Sequence, residues 1–333
     1  MAASSPGLCH RRARQAGWTW AAGFDIIRRA VFTEWINLAQ NRRLTSDYTL
    51  FRQSLPAIWG GCEGLVQTGR MRTELVTEPG DPDRPNEDFA AIGLPASGQG
   101  GALVLLDGVT PPAAGTGCLH SVPWYTARLG GALTELSVSL RDVPLTELLA
   151  TAISRTAEAH AQTCDLSHPR TPQATVVLAR WSPATVEHLV LSDSALLTES
   201  PEGTVTAHLD DRLSRVPRAW LTTDAIADAT VRNKEGGFFT AAADPSVASR
   251  AVTGSLPRDG VRALAALTDG ATRWVEKFTE GDWTACFTAV RKEGAGALVH
   301  RVRELERADA DAGRPRLGRG KTHDDATVAY VEL

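Results

Sequence analysis

Several specialised classes are excluded by what this sequence lacks. No apolar run in its 333 residues approaches the roughly 18–20 that a membrane-crossing helix needs. Its five cysteines (Cys9, Cys62, Cys118, Cys164 and Cys286) are odd in number, widely spread and without a Cys-x-x-Cys pair. That pattern rules out a dense disulfide framework or a cysteine zinc site and suits a reducing cytoplasm. Phosphate and dinucleotide loops are also missing. Gly320-Lys321-Thr322 ends like a phosphate loop, but Pro315 stands where its first glycine belongs and the segment leads into a strand. Gly115-Thr116-Gly117 begins like a dinucleotide loop, yet no strand directly precedes it and His120 replaces the third glycine. Both read as turns. The remaining composition, 43% hydrophobic and 22% charged, is that of an ordinary globular chain.

The net charge of −4 averages two unlike parts. Residues 1–70 carry nine arginines against four acids, whereas 71–333 carry 26 basic side chains against 35 acidic ones. Apolar positions 24, 27, 31, 35 and 38 recur at helical spacing in the basic part, which also holds Trp18, Trp20, Trp35 and Trp59. It is read either as a poorly ordered extension or mis-assigned start, since Met71 immediately precedes the first chemistry-bearing segment, or as a partner-binding arm. The expected organisation is therefore an extension over 1–70 and one domain over 71–333.

Within 71–333 the pattern is α+β. Short strand-like runs fall at 89–94, 102–106, 175–179, 186–191, 195–198, 261–267 and 327–333. Helical spacing predicts helices over 121–140, with Tyr125, Leu129, Leu133 and Leu136 inward, over 145–163, and over 296–307. Strands cluster as hairpins instead of alternating with helices, which favours a layered α+β domain over a doubly wound sheet.

The informative feature is where the carboxylates stand. Asp107-Gly108 ends one apolar strand, Asp269-Gly270 ends a second, Asp324-Asp325 introduces the last, and Glu87-Asp88 precedes the first. Asp-Gly is a common turn pair, and Asp259-Gly260, in a polar turn after Leu256-Pro257-Arg258, is assigned no chemistry. Rigid strands that deliver several carboxylates to sheet ends are a different matter. Hard divalent ions such as Mg²⁺ and Mn²⁺ take carboxylate, carbonyl and water oxygens, so such a set suits two of them.

In order along 72–333, Asn86-Glu87-Asp88, Asp107-Gly108, Ser192-Asp193-Ser194, Thr268-Asp269-Gly270 and Asp324-Asp325-Ala326-Thr327-Val328 resemble the motifs of metal-dependent type 2C protein phosphatases, the PPM family, in its bacterial branch. The resemblance implies a four-layer α-β-β-α sandwich of two antiparallel sheets flanked by helices, with a two-metal site at one end. It implies that Asp107 and Gly108, with Asp269, Asp324 and Glu87, hold two Mn²⁺ or Mg²⁺ ions. Asp88 would hold a metal-bound water and Arg84 would grip phosphate. The implied activity is hydrolysis of phosphoserine or phosphothreonine by a metal-activated water; the alternative is a degenerate, non-catalytic module that binds phosphoproteins in signalling. The expected partner is a phosphorylated protein, with no nucleic acid and no membrane, and the expected state a cytoplasmic monomer.

Some positions depart from the family pattern. Arg84 lies four residues before Asp88 instead of five, 109–112 replaces a glycine-rich stretch, Ser192 stands for glycine, and Phe89 takes a place where some members carry histidine. Three further segments carry open readings. The basic loop of Arg314, Arg316, Arg319 and Lys321 is either solvated or a grip for acidic substrate. His323 is either a solvated loop residue or a second-layer or proton-donating group. Segment 234–239 is assigned to a variable flap.

Overall fold

Side-chain alternation explains the architecture. The computed structural model describes residues 71–333 except 96, 111–114 and 313–321. The expected helix near 24–38 and the basic loop at 314–321 lie outside the described residues. Strands are β1 (Thr73–Glu78), β2 (Phe89–Gly93), β3 (Gly101–Leu106), β4 (Val176–Trp181), β5 (Thr185–Leu191), β6 (Ala195–Glu199), β7 (Val205–His208), β8 (Val252–Pro257), β9 (Ala263–Leu267) and β10 (Ala326–Glu332). Helices are α1 (Val122–Ser139), α2 (Leu145–Glu158), α3 (Arg212–Arg215), α4 (Asp224–Thr230), α5 (Asp269–Glu276), α6 (Trp283–Glu293) and α7 (Ala295–Asp311). One sheet runs β1-β10-β9-β6-β7 and the other β2-β3-β4-β5-β8, with every neighbouring pair antiparallel.

Successive residues of a strand face opposite sides, so a strand buried on both faces reads as a continuous apolar run. In β3, Leu103 and Leu105 enter the layer between the sheets, with Val177, Trp181, Leu264, Ala266 and Val331. Val104 and Leu106 face the other way, toward Tyr125, Leu129 and Leu133 of α1 and Leu148, Leu149 and Ile153 of α2. In β10, Ala329 and Val331 go inward while Val328 and Tyr330 meet Phe287 of α6 and Leu298 and Val302 of α7. Two antiparallel sheets flanked by helices on their outer faces result, as the resemblance implied.

The expected helix faces are buried as read, and Ser121 caps α1 by accepting from the Trp124 amide at 3.3 Å, with proline in the first turn. Pro144 sits at the N-cap of α2, and that helix stops at Glu158, short of the expected 163. Asp269-Gly270 opens α5 instead of ending a strand, because Leu267 is the last residue of β9 and Thr268 is the cap.

Pairing registers bring the chemistry to one end. Phe89 faces Leu106, Val176 faces Leu191, Ala195 faces Leu267 and Leu267 faces Val328. The segments carrying Asp88, Asp107, Asp193, Asp269 and Asp324 therefore leave the sheets at the same edge.

Candidate metal centre

Asp107 follows β3, and its amide donates to Thr175 Oγ1 at 3.2 Å. Its Oδ2 accepts from the Asp269 amide at 3.3 Å, which ties the end of β3 to the start of α5. Gly108 is buried, and a Cβ there would come 2.4 Å from Val122 Cγ1 and 2.5 Å from the Glu87 carbonyl oxygen. Only a residue without a side chain allows that approach. Gly270 is equally constrained, because its Cβ would lie 2.1 Å from the Asp325 carbonyl oxygen.

Asn86 organises the segment before β2. Its Oδ1 accepts from the Asp88 amide at 2.8 Å, and its Nδ2 donates to Thr77 Oγ1 at 2.8 Å. The hydroxyls of Thr268 and Thr327 then donate to Asp88 Oδ2 at 3.0 and 2.7 Å. The other oxygen, Asp88 Oδ1, is buried without a hydrogen-bond partner among the described residues. Such an oxygen forfeits its hydration unless a ligand supplies a partner.

Asp325 holds the loop that carries Glu87 and Arg84. Its Oδ1 accepts from the Gly80 amide at 2.8 Å and its Oδ2 from the Glu87 amide at 2.7 Å. Thr110 donates to the Glu87 carboxylate. Asp324 Oδ2 accepts from Arg273 at 3.2 Å, and Arg273 also pairs with Glu306, which has no solvent exposure. His323 is not simply solvated: its Nδ1 lies 2.8 Å from Glu306 Oε2.

Two cavities open on this end. One of about 360 Å³ is lined by Arg84, Glu87, Thr110, His323, Asp324 and Asp325. The other, about 320 Å³, is lined by Asp107, Gly108, Asp193, Asp269 and Asp324, with Arg232 and Phe238 on its far wall. Of the expected site residues, Arg84, Glu87 and Asp324 line the first cavity and Asp107, Gly108, Asp269 and Asp324 the second. Asp88 lines neither and is held by Thr268 and Thr327. Arg84 is exposed on the 80–87 loop, and Phe238, from the expected flap, lines the second cavity. Asp193, whose motif carries no metal role in the sequence reading, lines the second cavity with them. Its placement depends on Ser192, which holds a left-handed φ of 71°, donates its amide to Asp210 Oδ2 at 2.8 Å and its hydroxyl to Asp193 Oδ1 at 3.1 Å. The glycine expected there is replaced by a residue that hydrogen bonds keep in a strained conformation.

Crowding shows in the acidities. Burial pushes Asp88 up to about 8, aided by the charges of Asp325 and Asp269. Burial, then Asp193 and Asp324, pushes Asp269 up to about 7. Asp107 is driven well above the ordinary carboxylate range by burial and by Asp269, Asp88, Asp193 and Asp324. Asp193 is raised by burial, with Asp210 adding to it.

No family model matches this chain, and no curated protein does. Solved structures do resemble it. They include the serine/threonine phosphatase Stp1 from Staphylococcus aureus, at 14% identity and TM-score 0.49, over 80% of this chain and 96% of that one. The serine/threonine phosphatase PstP/Ppp of Mycobacterium tuberculosis aligns at 15% identity and TM-score 0.48, over 79% of this chain and 98% of that one. A PstP catalytic domain in complex with two manganese ions aligns at 16% identity and TM-score 0.46, over 79% and 97%. The PPM Ser-Thr phosphatase MsPP from Mycobacterium smegmatis aligns as well, at 16% identity and TM-score 0.47, over 79% of this chain and 98% of that one. At identities of 12–16% and TM-scores below 0.5, these likenesses say nothing of this chain's chemistry. Among the described residues no helix is long and apolar enough to cross a membrane.

Proposed function

We propose that this chain is a metal-dependent serine/threonine protein phosphatase. The observation that supports this most is that Asp107, Asp193, Asp269 and Asp324 line one cavity, with Asp88 close enough to raise Asp107 and with its own Oδ1 buried and unpartnered among the described residues. Carboxylates crowded in this way repel one another when ionised, and the repulsion is relieved by bound cations. An all-oxygen donor set fits Mg²⁺ or Mn²⁺ and does not fit a thiophilic metal. In this reading Asp107, the Gly108 carbonyl, Asp269, Asp324 and Glu87 hold two ions. When bound, such ions acidify water and neutralise phosphoryl oxygens.

The chain's own groups supply orientation. Thr268 and Thr327 fix one oxygen of Asp88, so that the other can take a water's proton. Asp325 holds the Glu87 backbone, and Arg273 holds Asp324. Arg84, at the rim of the cavity beside Glu87, presents a guanidinium to an incoming phosphate, for which its planar fork is suited. The substrate class is a phosphorylated serine or threonine in a protein, acted on without a covalent enzyme intermediate.

Hydrolysis of a phosphothreonine peptide by the purified full chain tests this, with and without Mn²⁺, alongside Asp107→Asn and Asp269→Asn. Activity that needs Mn²⁺ and falls roughly 100-fold or more in both variants is expected. Activity indifferent to metal and to both substitutions would overturn it.

A further inference from the structure

A second cluster of ligating side chains lies away from the carboxylates. Cys118, His120 and Cys164 place Sγ, Nδ1 and Sγ within 4.8 Å of one another. The spread of the cysteines and the lack of a Cys-x-x-Cys pair rule out a cysteine zinc site on the sequence alone, and the fold departs from that expectation. Cys118-x-His120 nevertheless puts two ligands on one short turn, and the chain returns Cys164 to them after α2.

The distances fit a tetrahedral ion. Zn–S bonds of about 2.3 Å and Zn–N bonds of about 2.05 Å imply S···N separations near ~3.6 Å at tetrahedral angles. His120 Nδ1 lies 3.3 Å from Cys164 Sγ and 3.7 Å from Cys118 Sγ. The two sulfurs are 3.0 Å apart and would open by under about 1 Å to reach the ~3.8 Å that two Zn–S bonds imply.

The surroundings favour a thiolate–histidine centre over a simple cysteine pair. The Leu119 amide donates to Cys164 Sγ at 3.3 Å and the His120 amide to Cys118 Sγ at 3.4 Å, so each sulfur receives a backbone N–H. The His120 ring packs on Trp124, with centroids 4.0 Å apart, and meets His160 edge-on at 5.6 Å. That packing holds its Nδ1 toward the sulfurs. A disulfide would need neither the histidine nor its orientation.

We propose that Cys118, His120 and Cys164 bind one Zn²⁺ ion, distinct from the carboxylate centre, with the fourth position open to water or another donor. The ion would fasten the segment entering α1 to the turn leaving α2, where the Asp165 amide already donates to the Gly117 carbonyl at 2.8 Å. From that turn the chain runs on to Arg170, which pairs with Asp228 of α4 at 3.2 Å, and to Gln173, whose carbonyl accepts the Val109 amide at 2.9 Å. Val109 adjoins Gly108, and α4 contributes Ala227 to the wall of the second cavity. The zinc site would therefore brace one side of the proposed active end.

Cobalt spectroscopy separates this site from the carboxylates, because a thiolate-to-cobalt charge-transfer band cannot arise from oxygen ligands alone. Full-length protein, reduced and stripped of metal, is titrated with Co²⁺ and then with Zn²⁺. One equivalent of Co²⁺ is expected to produce the band, and Zn²⁺ to bleach it. Cys118→Ser and Cys164→Ser should remove most of its intensity. His120→Ala, which leaves both sulfurs, should weaken Co²⁺ binding by 10-fold or more (an order-of-magnitude expectation from the loss of one of three ligands). Cys9→Ser, Cys62→Ser and Asp107→Asn should leave the band unchanged. Circular dichroism of each variant establishes that it is folded. The proposal is overturned if folded wild-type protein shows no band, or if the band survives Cys118→Ser. It is also overturned if the protein as isolated holds no thiol-bound metal and carries a Cys118–Cys164 disulfide, seen as a mass lower by two hydrogens.

Discussion

Removing metal should make this protein less stable as the pH rises. An unfolded aspartate ionises near about 4. In the folded state burial and neighbouring carboxylates push Asp88 up to about 8 and Asp269 up to about 7. Between those limits the folded chain binds more protons than the unfolded chain, so stability falls with increasing pH. The contribution is whole below the unfolded value and is lost as pH climbs toward the folded ones. Each pH unit spent in that window costs about 1.4 kcal/mol per carboxyl. From about pH 5 to about pH 7 the ceiling is roughly 5 kcal/mol for the pair, and repulsion shared between them leaves about 2–3 kcal/mol. That corresponds to a drop in Tm of roughly 5–10 °C for a domain of this size. Thermal unfolding of EDTA-treated protein across this range measures it, with Asp88→Asn as the comparison. The variant should show a shallower slope, and added Mn²⁺ should raise Tm more at the higher pH, since metal binding competes with protons. At about a hundred times its dissociation constant, Mn²⁺ adds about 2.7 kcal/mol. A metal-free Tm that is flat or rising over the window, or an Asp88→Asn slope equal to the wild type, would refute the reasoning.

Two further substitutions probe the supports. Glu306→Ala leaves the buried guanidiniums of Arg273 and Arg303 without their shared carboxylate. It should cost about 3–5 kcal/mol, read as a Tm loss of roughly 6–20 °C, and should lower turnover because Arg273 no longer holds Asp324 in place. Glu306→Gln should recover part of both. Gly108→Ala forces a methyl against Val122 and the Glu87 carbonyl, so about 1–3 kcal/mol of stability and most of the Mn²⁺ dependence should disappear together in calorimetry and phosphopeptide assays.

Which parts of the fold were legible follows from where the strands lie. β3, β4 and β9 are buried on both faces and stand out as unbroken apolar runs. β1 and β8 lie at sheet edges, where alternating or mostly exposed positions leave no such run, and neither was read as a strand. β7 is another edge, only four residues long, and was missed with them. α6, which buries Cys286, Phe287, Ala289 and Val290, is likewise absent from the helices that spacing predicts. The aspartates were legible because each ends or introduces a local segment. Asp193 was harder, since its position depends on a left-handed serine and on Asp210, neither of which periodicity detects. The Asp325 clamp and the Glu306 network join residues more than 200 and about 30 positions apart, beyond the reach of any local pattern.

The same geometry narrows what a non-catalytic version of this domain could be. A module that bound phosphoprotein at this end without metal would bring a phosphate dianion against Asp88, Asp107, Asp193, Asp269 and Asp324. Those carboxyls that are ionised repel it, increasingly as pH rises through the raised values of Asp88 and Asp269, and Arg84 stands exposed on a loop at the rim, where solvent screens it. Phosphate is therefore favoured here when cations neutralise the aspartates, whether or not hydrolysis follows. Metal-dependent binding of a phosphopeptide consequently fits both readings and cannot separate them. Release of inorganic phosphate can, because only hydrolysis consumes a water held at the carboxyl oxygen that Thr268 and Thr327 leave unengaged on Asp88. If Asp88→Asn keeps peptide affinity in Mn²⁺ while abolishing phosphate release, this end of the sandwich is built for turnover.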